Sequence, residues 1–171
     1  MADLASAMAY IHERNIIHRD LKIGNVGISV EGKVKLIDFG LAKVLPSANN
    51  ANETFLLTGN TGSVRYMAPE IGLGQRYNLK ADVYSFAILL YEVMSLEKVF
   101  QGWNLSEISN RVYLKKYRPR LFLFWSQQLK EVLKACWSDV SAARLPMKNV
   151  ETILHKEVNN LTKINNTDID E

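Results

Sequence analysis

The chain has 171 residues, 47% of them apolar, which is enough for one domain with a real hydrophobic core. A formal net charge of +3 is too mild to mark a nucleic-acid partner, and no apolar run approaches the roughly 18 residues of a spanning helix, so neither nucleic-acid binding nor membrane insertion is expected. The one cysteine, Cys136, excludes an intramolecular disulfide framework, and no secretory leader is visible, so the expected compartment is the cytoplasm, or the nucleus.

Residues 2–13 predict a helix, with Leu4, Met8 and Ile11 on one face. Next comes His18-Arg19-Asp20-Leu21-Lys22-Ile23-Gly24-Asn25. Two short apolar runs, 25–29 and 33–37, meet at Glu31-Gly32, the pattern of a small β-hairpin. Asp38-Phe39-Gly40 follows, so the hairpin is expected to hold Asp20, Asn25 and Asp38 close together. Two carboxylates and an amide beside the cation of Lys22 make a hard-oxygen site suited to Mg²⁺ and phosphate. Residues 44–63 are rich in Asn, Ser and Thr and predict a mobile loop, with the polar part around 47–53 in solvent. Residues 80–96 are apolar nearly all round, which predicts a helix buried inside the domain. Residues 105–116, 126–137 and 146–158 predict three amphipathic helices, and 159–171 a frayed polar tail. The dense basic cluster, Lys115-Lys116-Tyr117-Arg118-Pro119-Arg120, reads as a solvated helix end, with a docking patch as the alternative.

The wording, order and separation of the segment at 18–25 and of Asp38-Phe39-Gly40 resemble the catalytic loop and metal-binding motif of the protein kinases. That resemblance implies ATP and Mg²⁺ as cofactors and protein Ser/Thr hydroxyls as acceptors. It implies Asp20 as catalytic base, Lys22 as the charge-neutralising cation, and Asn25 and Asp38 as metal ligands. Thr61-Gly62-Ser63-Val64-Arg65-Tyr66-Met67-Ala68-Pro69-Glu70 is similar to the end of the family's activation segment. The likeness implies that Ser63 contacts the catalytic Asp, that Glu70 pairs with Arg144, and that Asp82 anchors the catalytic loop. His18 and Phe39 would belong to an apolar stack, and Gly40 would let the chain turn after the metal motif. Arg19 beside Asp20 implies switching by a phosphate on Thr54, Thr58 or Thr61, added by an upstream kinase. The wording of 63–70, 82–92 and 135–137 is closest to the tyrosine-kinase-like branch of Ser/Thr kinases, and Lys22 fits Ser/Thr specificity.

Three departures stand out. Ile23 replaces a usual proline, Gly27 stands where the family has a large apolar residue under adenine, and Arg144-Leu-Pro replaces Arg-Pro. No Gly-x-Gly-x-x-Gly and no Val-Ala-x-Lys precedes the catalytic loop. The expectation is therefore a mainly α chain with a small β-hairpin, residues 1–158 forming a kinase C-terminal lobe as a fragment without the N-terminal lobe. An exposed apolar patch of Leu21, Val26, Ile28, Ile37 and Phe39 would face the absent part. The alternative is a non-catalytic lobe that binds partners as a scaffold or decoy.

Overall fold

The computed structural model describes residues 1–47, 50, 52–59 and 61–167. The sequence-predicted solvent loop at 47–53 and the tail at 159–171 therefore fall partly outside the described residues. In chain order the elements are α1 (Ala2–His12), β1 (Ile16–Ile17), β2 (Val26–Ile28), β3 (Val34–Leu36), β4 (Lys43–Val44), α2 (Pro69–Gly72), α3 (Lys80–Ser95), α4 (Leu105–Ile108), α5 (Gln127–Cys136) and α6 (Met147–Thr167).

The fold is built round α3, in which every residue from Ala81 to Tyr91 is buried. A helix that apolar on all sides must be covered on all sides. Helix α5 packs on α3, while α6 packs on both α1 and α5. On α1, Leu4, Met8 and Ile11 are buried as the helical period requires, and burying a side chain of this size contributes about 2 kcal/mol. Ser126 caps α5 by accepting from Leu129 N at 3.1 Å, and Asn104 and Glu107 cap α4 reciprocally at 3.0 Å. Among the described residues no helix is long and apolar enough to cross a membrane.

The strands carry the site. In the expected hairpin Val26 faces Leu36, Gly27 faces Lys35 and Ile28 faces Val34. The turn at Gly32 has φ of 75°, open to glycine at no steric cost. A second, two-residue ladder sets Ile16 against Val44 and Ile17 against Lys43, tying the entry of the segment 18–25 to the exit of Asp38-Phe39-Gly40.

Four expectations are corrected. The helix expected over 105–116 is α only to Ile108 and then widens into a π-helical turn, Ser109–Leu114. Helix α6 runs to Thr167, past the end expected at residue 158. The loop expected at 44–63 is pinned at Phe55, which exchanges backbone bonds of 2.9 and 3.1 Å with Tyr77. Leu21 does not join the exposed patch, being 1% exposed, whereas Ile28, Ile37 and Phe39 do stand in solvent. Leu21 is part of the hydrophobic core cluster, and Val26 is half-buried against that cluster.

In the π-helical turn Tyr113 lies against α2. A Cβ on Gly72 would stand 2.1 Å from the Tyr113 ring, whose hydroxyl donates to Val64 O at 3.1 Å. Gly72→Ala is expected to expel the ring and destabilise the fold by about 1–3 kcal/mol, read as a lower urea midpoint.

Candidate active site

Asp82, 1% exposed near the start of α3, organises the segment that begins at His18. Its Oδ2 accepts from His18 N at 2.7 Å and its Oδ1 from Arg19 N at 2.9 Å. His12 Nε2 lies 3.0 Å from the same Oδ2. A carboxylate so buried needs such partners, and here the backbone it holds is that of the site. Arg19 takes a left-handed φ of 68°, a strained conformation for a non-glycine residue that these bonds help to hold.

Asp20 is buried one residue further on. Lys22 Nζ approaches its Oδ2 at 2.6 Å, and Asn25 Nδ2 donates to that oxygen at 3.1 Å and to Asp20 O at 2.8 Å. On the other side, Ser63 N and Ser63 Oγ both donate to Oδ1 at 2.8 Å. Burial pushes the Asp20 carboxyl up, but Lys22, Ser63 and Asn25 together outweigh it and hold it below the usual value. The group is therefore ionised at neutral pH.

Asp38 is brought in by the hairpin, since Ile37 N donates to Asn25 O at 3.0 Å. Its own φ is 61°, and one carboxylate oxygen accepts from Gly40 N at 3.1 Å. The other carries no hydrogen bond among the described residues. Asn25 commits its amide nitrogen to Asp20, so its carbonyl oxygen is the atom left for a ligand. One free carboxylate oxygen and one free amide oxygen on neighbouring backbone are hard donors that fit Mg²⁺. His18 meets Phe39 edge-on at 5.1 Å, and its Nε2 lies 3.3 Å from Ile37 O.

The segment 61–70 reaches the site because Gly62 can. At φ 98°, a Cβ there would stand 2.2 Å from Arg19 O. Gly62→Ala is expected to pull Ser63 off Asp20 at a stability cost of about 1–3 kcal/mol, read as a lower urea midpoint. Ser63→Ala, which keeps the backbone donor, should lose less. Further along, Glu70 and Arg144 form a bidentate pair at 2.6 and 2.8 Å, and Arg144 Nε also donates to Ser138 O at 2.9 Å. Ser85 Oγ donates to Tyr66 O at 2.8 Å, and Tyr66 Oη to Glu92 at 2.5 Å, which ties the segment to α3.

Arg19 donates to Leu41 O at 2.6 Å and reaches Tyr77 Oη at 3.5 Å, and Tyr77 Oη donates to Thr58 O at 2.8 Å. Its guanidinium is thus linked to the segment of the candidate threonines through a backbone carbonyl. Thr61 spends its hydroxyl on Thr58 O and Gly59 O, at 3.1 and 3.2 Å. Thr58 is exposed, and Thr54 is half-buried.

Sequence reasoning passed over His12 and Tyr77. His12 follows Leu4 and Met8 at intervals of four, so its place on the core face of α1 was a readable sign of a buried partner. Tyr77 carries no such pattern.

The family described as protein tyrosine and serine/threonine kinase matches residues 1–154. Serine/threonine/tyrosine-protein kinase HT1 of Arabidopsis thaliana is 34% identical over 154 residues, 90% of this chain and 38% of that protein. Mitogen-activated protein kinase kinase kinase 7 of Drosophila melanogaster is 32% identical over 163 residues, 92% of this chain and 23% of that protein. Dual specificity protein kinase shkE of Dictyostelium discoideum is 34% identical over 168 residues, 97% of this chain and 23% of that protein. The chain thus spans less than two fifths of the length of these relatives.

Proposed function

The chain belongs to the protein tyrosine and serine/threonine kinase family, and on that footing we propose that residues 1–158 are the C-terminal, catalytic lobe of a protein serine/threonine kinase. The observation that carries this is the Asp20 carboxylate, held between Lys22 and Ser63 with Asn25 beneath it. When bound, ATP with Mg²⁺ supplies the phosphoryl group and the charge that balances it. Asp20 orients the acceptor hydroxyl and takes its proton at the carboxylate. Its low basicity suits an orienting role, because a loose transfer state asks for little proton abstraction. Lys22 offsets negative charge growing at the transferred group. Asn25 Oδ1 and the free oxygen of Asp38 would hold Mg²⁺.

Asp82, His12, Glu70 and Arg144 are positioning groups that fix the loop and segment around Asp20. A phosphate on Thr58 or Thr61, added by an upstream kinase, would meet Arg19 and replace the indirect link through Tyr77 with a direct one. Thr54 is a weaker candidate, as Arg76 already ties its carbonyl at 2.7 Å. The acceptor class rests on Lys22 following Asp20 at two positions.

Phosphoamino-acid analysis of a mixed peptide library, after incubation with Mg²⁺, labelled ATP and a preparation in which this lobe is joined to a nucleotide-covering lobe, is expected to give phosphoserine and phosphothreonine. Label confined to phosphotyrosine would overturn the acceptor class. No label from a preparation that includes a nucleotide-covering lobe would favour a scaffold that binds proteins without chemistry.

A further inference from the structure

A second surface, away from the catalytic segment, has a composition that the kinase reading does not use. The residues after the basic cluster, Leu121-Phe122-Leu123-Phe124-Trp125, are apolar without a break, yet they form a loop. Trp125 is buried against Tyr91, with ring centroids 5.5 Å apart, and it anchors the loop from below. Leu123 and Phe124 are 84% and 80% exposed. The neighbouring turn after α3 adds Leu96, 92% exposed and held out by a left-handed φ of 58°. Glu97, next to it, lines the same surface cavity, about 560 Å³, as Tyr117, Arg120, Leu123 and Phe124. Exposing this much contiguous apolar surface costs solubility unless something covers it.

The charges around the cavity say what covers it. Arg120 lines the cavity, Lys98 lines the adjoining one that shares Glu97 and Tyr117, and Lys130 Nζ donates to Leu123 O at 3.1 Å. Glu97 is the one carboxylate in the lining. Asp139 lies further back and is paired with Arg118 at 2.6 Å, so neither adds to the local balance. Protruding Leu and Phe side chains, an amphipathic Tyr117, and the three cations Lys98, Arg120 and Lys130 around the single acid Glu97 match the interface of an anionic bilayer. The apolar tips enter the headgroup boundary and the basic side chains stay in the phosphate layer.

We propose that the loops around Leu96 and Leu121–Trp125 form a peripheral docking face for anionic lipid surfaces. Such a contact requires no spanning helix. It would bring the domain to a membrane while the catalytic segment, on other elements, stays in water.

The test is cosedimentation of the protein with phosphatidylcholine vesicles and with vesicles containing about a third phosphatidylserine. Binding to the anionic vesicles only is expected, falling with added salt. The double variant Leu123→Ser/Phe124→Ser and the charge variant Lys98→Glu/Arg120→Glu should each weaken it about tenfold or more. The four side chains are exposed, so an unchanged urea midpoint confirms that the variants fold. No partition to anionic vesicles, or partition unaffected by Leu123→Ser/Phe124→Ser, overturns the proposal. So does self-association in sedimentation velocity that the double variant relieves in the absence of vesicle binding, which would mark the face as a contact between copies.

Discussion

Glu70→Ala is expected to destabilise the fold by about 3–5 kcal/mol, out of the 5–15 kcal/mol that domains of this kind typically have. The Arg144 side chain is fully buried and its guanidinium holds both oxygens of Glu70. Removing the carboxylate strands the cation, which retains the carbonyls of Ser138 and Lys80, at 2.9 and 3.0 Å, and the face of the Tyr84 ring at 5.2 Å, but no negative charge. The penalty is that of a buried unpaired charge, so it exceeds the net worth of the pair. Replacing both residues together, Glu70→Met/Arg144→Met, should therefore cost much less than Glu70→Ala alone. Guanidinium unfolding of the two variants separates these cases. Equal losses would mean that the pair stabilises as a pair.

Asp20→Asn is expected to lower phosphoryl transfer about 10²–10⁴-fold while leaving the fold in place. Asparagine is isosteric, and its oxygen can still accept from Ser63 N and Ser63 Oγ. What it loses is the charge paired with Lys22 and both bonds accepted at Oδ2, where its amide N–H would face the donors Lys22 Nζ and Asn25 Nδ2, so the stability cost is about 1–3 kcal/mol. The pH dependence has a fixed sign. Asp20 lies below its ordinary value in the fold, so its contribution is present above the unfolded carboxyl value and fades as pH falls through the folded one. The gap in stability between wild type and Asp20→Asn should accordingly shrink in acid and be constant across neutral pH. Activity should show no acidic limb from this group near neutrality.

Much of this was legible before any coordinates, for physical reasons that differ by element. The apolar period of 2–13 and the near-continuous apolar run of 80–96 gave α1 and α3 within a residue or two, because burial on one side or on all sides leaves that trace in any chain. The hairpin at 25–37 was legible from two short runs and a glycine turn. The Glu70–Arg144 contact joins residues 74 positions apart; only likeness to a family could suggest it, since neither residue is part of a local pattern.

What was not legible depends on clearance and on distant partners. Nothing in the residues around Gly72 says that a tyrosine ring 41 positions on must lie against it, nor that Gly62 must clear the carbonyl of Arg19. The π-helical turn at 109–114 has the same apolar spacing as an α-helix, so periodicity alone cannot distinguish them. Leu21 stands between the candidates Asp20 and Lys22, and nothing in that spacing says that its side chain joins the core. The run Leu121–Trp125 was plain in the sequence, but whether it was core or surface was not. Trp125 proved to be core and Leu123 and Phe124 surface.

The most direct test of the account is single-turnover transfer of labelled γ-phosphate to a protein acceptor, with Mg²⁺ titrated, for wild type, Asp20→Asn and Asp38→Ala, each joined to a nucleotide-covering lobe. One phosphoryl-transfer centre predicts Mg²⁺-dependent label from wild type, loss of transfer at every Mg²⁺ concentration for Asp20→Asn, and a sharply raised Mg²⁺ requirement or no transfer for Asp38→Ala. Transfer by Asp20→Asn at the wild-type rate, or an Asp38→Ala profile superimposable on wild type, would contradict it.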